Sequence, residues 1–169
     1  MTRTLPRTTR CHVALGANLG DLPATLDAAC AALRELPACR WIGESPRYRT
    51  APIESHGPDY LNSVVALDVA DEDPRAPWQM LAALQAIEQR HGRERPYHHA
   101  PRTLDLDLLL WGDRRIDDPV LTVPHPRLQL RAFVLRPLLD LSPELVLPGL
   151  GPAWAFLDGV ADQAIERLG

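Results

Sequence analysis

The sequence contains no lysine; all 18 of its basic residues are arginines. That absence excludes any mechanism that needs a Schiff-base lysine or the lysine of a P-loop. Cysteine is also scarce. Cys11, Cys30 and Cys39 form an odd set with no CxxC spacing, which excludes a disulfide framework or a cysteine zinc site and points to a reducing cytoplasm. Net positive charge is missing as well: the formal charge is −4, whereas general nucleic-acid binding rests on a basic surface. No apolar run approaches the roughly 18 residues of a membrane span. The Arg- and Thr-rich start, residues 1–10, is not followed by the apolar stretch of a secretory signal. It is expected to be a flexible leader to a single domain over residues 11–169.

What is present is 169 residues with 46% hydrophobic and 24% charged content, the make-up of one globular domain. The elements alternate. Cys11 to Ala17 reads as a strand, and Asp21 before Leu22 and Pro23 reads as an N-cap and early proline of a helix reaching about Leu36. Arg40 to Arg49 and Tyr60 to Val69 read as strands, with Tyr60, Asn62, Val64 and Ala66 on one face of the latter. A helix from Asp73 and Pro74 to about His91 ends at Gly92, and Thr103 to Trp111 is the next strand. The order βαββαβ predicts an α+β, ferredoxin-like antiparallel sheet with both helices on one face. Further helices are predicted near Arg127 to Leu139 and Trp154 to Leu168.

The strongest chemical signal is the run Thr103-Leu104-Asp105-Leu106-Asp107-Leu108. Strand periodicity puts Asp105 and Asp107 on one face and the leucines on the other. Neighbouring carboxylates repel unless a cation sits between them, and Mg²⁺ held by carboxylates and phosphates would supply it. An ordinary acidic, solvated strand face is the plainer alternative. The segment just upstream changes the balance: residues 90–102, RHGRERPYHHAPR, carry four arginines and three histidines. Guanidinium groups grip phosphate oxygens in forked pairs, so acids beside them suit a Mg²⁺-polyphosphate. Their mutual repulsion predicts that residues 92–101 close as a lid only when phosphate arrives.

Further candidates flank this centre. His125, in the run Leu121 to Pro126, can hydrogen-bond a phosphate or donate a proton, though such a histidine is more often structural. Tyr60 and Asn62 can stack a flat heterocycle and read its edge, or simply pack in the core. From the residues alone, the chain reads as a Mg²⁺-dependent enzyme acting on a nucleotide or other polyphosphate.

Together these motifs resemble the 6-hydroxymethyl-7,8-dihydropterin pyrophosphokinase family of folate biosynthesis. The resemblance rests on VALGANLGD (13–21), YRTAPI (48–53), DYLNSVVAL (59–67), HHAPRTLDLDLLL (98–110) and LTVPHPRLQLRAFVLRPL (121–138). It implies transfer of pyrophosphate from the cosubstrate ATP to the pterin hydroxymethyl group, with AMP released and two Mg²⁺ ions bound by Asp105 and Asp107. It implies Arg93 and Arg102 as catalytic partners of those acids. Gln85, Glu88, Arg95, Arg102, Leu108, Thr122, His125 and Arg131 would bind ATP. Tyr60 and Phe133 would sandwich the pterin, with Asn62 on its edge and Thr50, Ala51 and Ile53 nearby. The chain departs from the family pattern at Ala51, Pro96, His99 and Pro126, and its arginine-rich loop is one residue shorter.

The implied partners are ATP and 6-hydroxymethyl-7,8-dihydropterin, with no nucleic acid, no membrane and a monomeric chain. Two alternatives stand beside this reading. A DxD-type glycosyltransferase would need a larger Rossmann-like domain. A noncatalytic ferredoxin-like module for a nucleotide or small ligand would lack turnover, and an RNA reader would show an aromatic run and a basic face, which this sequence lacks.

Overall fold

The computed structural model describes residues 6–52, 57–91 and 104–169. In chain order the elements are β1 (Thr8–Ala17), α1 (Leu22–Arg34), β2 (Cys39–Glu44), β3 (Arg47–Thr50), β4 (Tyr60–Ala70), α2 (Ala76–Arg90) and β5 (Asp105–Trp111). There follow β6 (Ile116–Asp117), β7 (Thr122–Val123), α3 (Ala132–Leu141), β8 (Val146–Leu147), β9 (Gly151–Pro152) and β10 (Ile165–Leu168). The main sheet runs β10-β3-β4-β1-β5, with β2 also on β4, and every pairing is antiparallel. This is the expected α+β, ferredoxin-like architecture.

Both faces of the central strands are covered, which explains why Cys11 to Ala17 and Leu61 to Leu67 are buried without interruption. On one face Val13, Leu15, Leu61, Val65, Leu67, Leu106 and Leu108 pack with Leu26, Leu33, Leu84 and Ile87 of α1 and α2. On the other, Ala14, Val64 and Leu110 pack with Val134, Leu135 and Leu138 of α3. The α1 start is as its residues dictate: Asp21 Oδ1 accepts the Ala24 N–H at 3.1 Å, with Pro23 in the first turn.

Four expectations change. β1 begins at Thr8, so the segment read as a leader contributes its last three residues to the sheet. The strand read over residues 40–49 is two strands, because Pro46 has no N–H for the ladder. Ser45 Oγ spans the break by accepting the Val64 N–H at 3.0 Å. The helix expected near Arg127 to Leu139 is a 3-10 turn, Leu128–Leu130, followed by α3. The helix expected at Trp154 to Leu168 is two short 3-10 turns and then β10, since Ile165 to Leu168 complete the open edge of β3.

Candidate active site

Alternation along β5 sets the acidic pair. Leu104, Leu106 and Leu108 are buried, whereas Asp105 and Asp107 are half-exposed on the opposite, α3-side face. The backbone here is anchored from below: the Leu106 N–H donates to Glu88 Oε2 at 2.9 Å. Glu88 is therefore a buried α2 carboxylate that holds the strand carrying the acids. Its neighbour Gln85 on the same helix is exposed, whereas Glu88 is 2% exposed. The Leu108 side chain lies in the helix-side core. Only its backbone is left for a ligand on the acidic face.

Register brings the other candidates to the same face. Gly16 of β1 pairs with Asn62 on one side and with Asp105 on the other. Two strand spacings separate Asn62 from Asp105, about 10 Å, the scale of a polyphosphate. Asn62 is buried, and its Oδ1 accepts from Thr50 Oγ1 at 2.6 Å. Thr50 stands opposite Tyr60. Beside them Thr50, Ala51, Pro52, Phe133, Gln163, Ala164 and Ile165 line a cleft of about 140 Å³. The cleft thus brings Thr50, Ala51 and Phe133 together, and Thr50 links it to Tyr60 and Asn62.

His125 reaches the acidic side through a bulge. Val13 pairs with Leu108 and His12 with Leu110, which leaves Leu109 without a register partner on β1, and its carbonyl accepts the His125 N–H at 2.9 Å. The ring is held as well: the Arg127 N–H donates to His125 Nδ1 at 3.2 Å. That bond puts the neutral ring's proton on Nε2. Burial, with the Arg131 and Arg127 guanidinium groups, pushes its pKa down to about 4 against an opposing pull from Asp105. His125 is thus held neutral with its proton on Nε2, under the opposing influence of Asp105 and of the Arg131 and Arg127 guanidinium groups. Arg131 lies over Phe133, its guanidinium carbon 5.5 Å from the ring centroid. Thr122 is half-buried in β7 nearby in sequence.

Arg93, Arg95, Arg102 and Ile53, and the expected lid over residues 92–101, lie outside the described residues. Among the described residues no three His, Cys, Asp or Glu side chains converge. Two hard-oxygen carboxylates on one strand face fit a Mg²⁺ site completed by phosphate and water rather than an all-protein cage.

Comparison with known proteins decides the family. The profile of the 7,8-dihydro-6-hydroxymethylpterin-pyrophosphokinase (HPPK) family matches residues 12–143. The chain belongs to this family. It is an ATP-dependent pyrophosphokinase, which sets aside the glycosyltransferase and the noncatalytic module. A relative in Pseudomonas aeruginosa, 2-amino-4-hydroxy-6-hydroxymethyldihydropteridine pyrophosphokinase, is 44% identical over 160 residues, covering 94% of this chain and 96% of that protein. The folic acid synthesis protein fol1 of Schizosaccharomyces pombe is 39% identical over 157 residues, 92% of this chain but 21% of that protein. The fold is shared with Plasmodium falciparum HPPK-DHPS, solved with pterin and p-hydroxybenzoate. There the TM-score is 0.69 at 14% identity, over 90% of this chain and 42% of that one. The shared activity is pyrophosphokinase chemistry in folate biosynthesis.

Sequence reasoning missed two residues near these candidates, Gly16 and Gln163, and the contact that Glu88 makes. Gly16 carries no chemistry, so only the register exposes its position. The role of Glu88 in holding β5 and the presence of Gln163 in the cleft depend on contacts between distant segments.

Proposed function

We propose that the chain transfers the β,γ-pyrophosphoryl group of ATP to the hydroxymethyl oxygen of 6-hydroxymethyl-7,8-dihydropterin. The pterin oxygen forms a bond to the β-phosphorus, the bridging bond between the α- and β-phosphates breaks, and AMP leaves. The hydroxyl proton passes to solvent, and the second product is the pterin diphosphate. The observation that supports this reading is the single line Asn62–Gly16–Asp105 across three strands, with the Thr50–Phe133 cleft beside one end and the acidic pair at the other.

In this reading Phe133 and Tyr60 take the pterin faces, and Asn62, oriented by Thr50, takes its edge with Ala51 and Ile53 nearby. Asp105 and Asp107 hold two Mg²⁺ ions, which when bound neutralise charge on the transferring and leaving phosphates. His125 offers Nε2–H as a fixed neutral donor to a phosphate oxygen. Arg131 contributes charge there, with Arg93, Arg95 and Arg102 as its partners from the arginine-rich segment. Gln85 and Thr122 lie on the nucleotide side. The enzyme acts as a cytoplasmic monomer; its three cysteines are free thiols.

Incubation with ATP, Mg²⁺ and the reduced hydroxymethylpterin tests this directly. AMP formation that requires the pterin is expected. Formation of ADP, or AMP release independent of the pterin, would overturn the reading.

A further inference from the structure

Helix α3 begins at Ala132, and the residue before it, Arg131, makes no side-chain cap. The first N–H groups of a helix need outside partners. Here one is met from 31 positions away: the Ala132 N–H donates to Gln163 Oε1 at 2.8 Å. The other half of the same amide turns back on the chain, with Gln163 Nε2 donating to the Leu130 carbonyl at 2.8 Å. Gln163 therefore fastens the backbone on both sides of Arg131, which is extended there (φ −125°, ψ 115°) between a 3-10 turn and the helix.

The other anchor of this clamp is the sheet. Two residues beyond Gln163, Ile165 pairs with Thr50, the residue that orients Asn62. Gln163 itself lines the cleft between Thr50–Pro52 and Phe133. A short segment thus joins the β3 wall to the α3 wall, and its position fixes the gap between them. It lies outside residues 12–143, where the family profile matches.

We propose that Gln163 is a positioning residue of the pyrophosphokinase. By bracketing Arg131 it sets the spacing of the pterin cleft through Phe133 and holds the Arg131 guanidinium over that ring. This rests on the reading that the cleft takes the pterin. Gln163 acts through other groups, because its amide oxygen and a donor N–H are engaged by backbone.

The test uses the full chain with Mg²⁺, a nonhydrolysable ATP analogue and 6-hydroxymethyl-7,8-dihydropterin, read by calorimetry beside thermal unfolding. Gln163→Leu removes both bonds and is expected to weaken pterin binding about tenfold in the folded protein. Gln163→Glu keeps the acceptor at the helix start and should lose about threefold. The double variant Gln163→Leu/Phe133→Ala should bind no more weakly than Phe133→Ala alone, as coupled residues do.

A lowered unfolding temperature with unchanged pterin affinity would mark a purely structural residue and overturn the proposal. Should Gln163→Leu fail to fold, unchanged affinity in Gln163→Glu would overturn it equally. If Phe133→Ala itself leaves pterin binding intact, the pterin assignment of the cleft has failed, and the Gln163 proposal falls with it. If Phe133→Ala weakens binding while the Gln163 variants do not, the Gln163 proposal alone falls.

Discussion

A Cβ on Gly16 would stand 2.8 Å from Asn62 Nδ2. Gly16 is needed for space, since the Asn62 amide crosses the bare backbone of β1 while tied to Thr50 at 2.6 Å and reaching the Leu15 carbonyl at 3.5 Å. Any side chain here would displace the group assigned to the pterin edge. Gly16→Ala is expected to weaken pterin binding about tenfold and leave nucleotide affinity nearly unchanged. In a double-variant cycle it should add little to Asn62→Ala; full additivity would show that Gly16 acts by another route.

The acidic pair carries a second prediction. Asp105→Asn and Asp107→Asn keep size and strand geometry but remove negative charge from the proposed metal site. Turnover should fall by about 10³-fold or more in each, with folding preserved and pterin binding little affected. Steady-state rates and circular dichroism check this, and near-normal rates in both variants would refute metal binding by these acids.

Glu88 separates positioning from chemistry. Glu88→Gln retains an oxygen for the Leu106 N–H and should keep most stability and activity. Glu88→Leu would leave that N–H buried without its partner, at a cost of about 1 to 3 kcal/mol, and would loosen the strand that presents Asp105 and Asp107. Denaturant unfolding and turnover should therefore fall together in the leucine variant only.

Two histidines set the acid response. His12 is 3% exposed, and neither ring nitrogen has a hydrogen-bond partner among the described residues. Burial, then Arg10, lowers its pKa to about 4, with Asp68 opposing. The native ring therefore binds fewer protons than the unfolded one between pH about 6.5 and about 4. Its stabilising contribution is present above that window and is lost as pH falls through it, up to about 3 kcal/mol. His12→Phe should raise stability more at pH 4.5 than at pH 8, as measured by unfolding at both values. An equal gain at both would contradict this origin.

His125 shares the low pKa and is fixed by the Arg127 N–H. Nitrogen-15 resonances of its ring should report a neutral Nε2–H tautomer down to about pH 5. Its titration should not appear in the pH profile of turnover near the ordinary histidine value. A titration of this ring near pH 6.5 would instead make it a proton carrier.

Local rules made much of this legible from residue order. Period-two alternation put Asp105 and Asp107 on one face and their leucines in the core, and the Asp21–Pro23 cap marked α1, because both depend on neighbours a few residues apart. The motifs between Val13 and Leu138 likewise pointed to the family. Tertiary structure decided what depends on distant partners. The open edge of β3 drew Ile165 to Leu168 into a strand where a helix was expected, since paired backbone groups outweigh weak local preference. The Leu108 side chain took its place in the core, and Glu88 turned inward to meet the Leu106 N–H. Gly16 became the bare point between Asn62 and Asp105, and Gln163 came to hold the start of α3. None of these pairings is written in a local pattern, because each arises when segments dozens of residues apart must satisfy one another's space and hydrogen bonds.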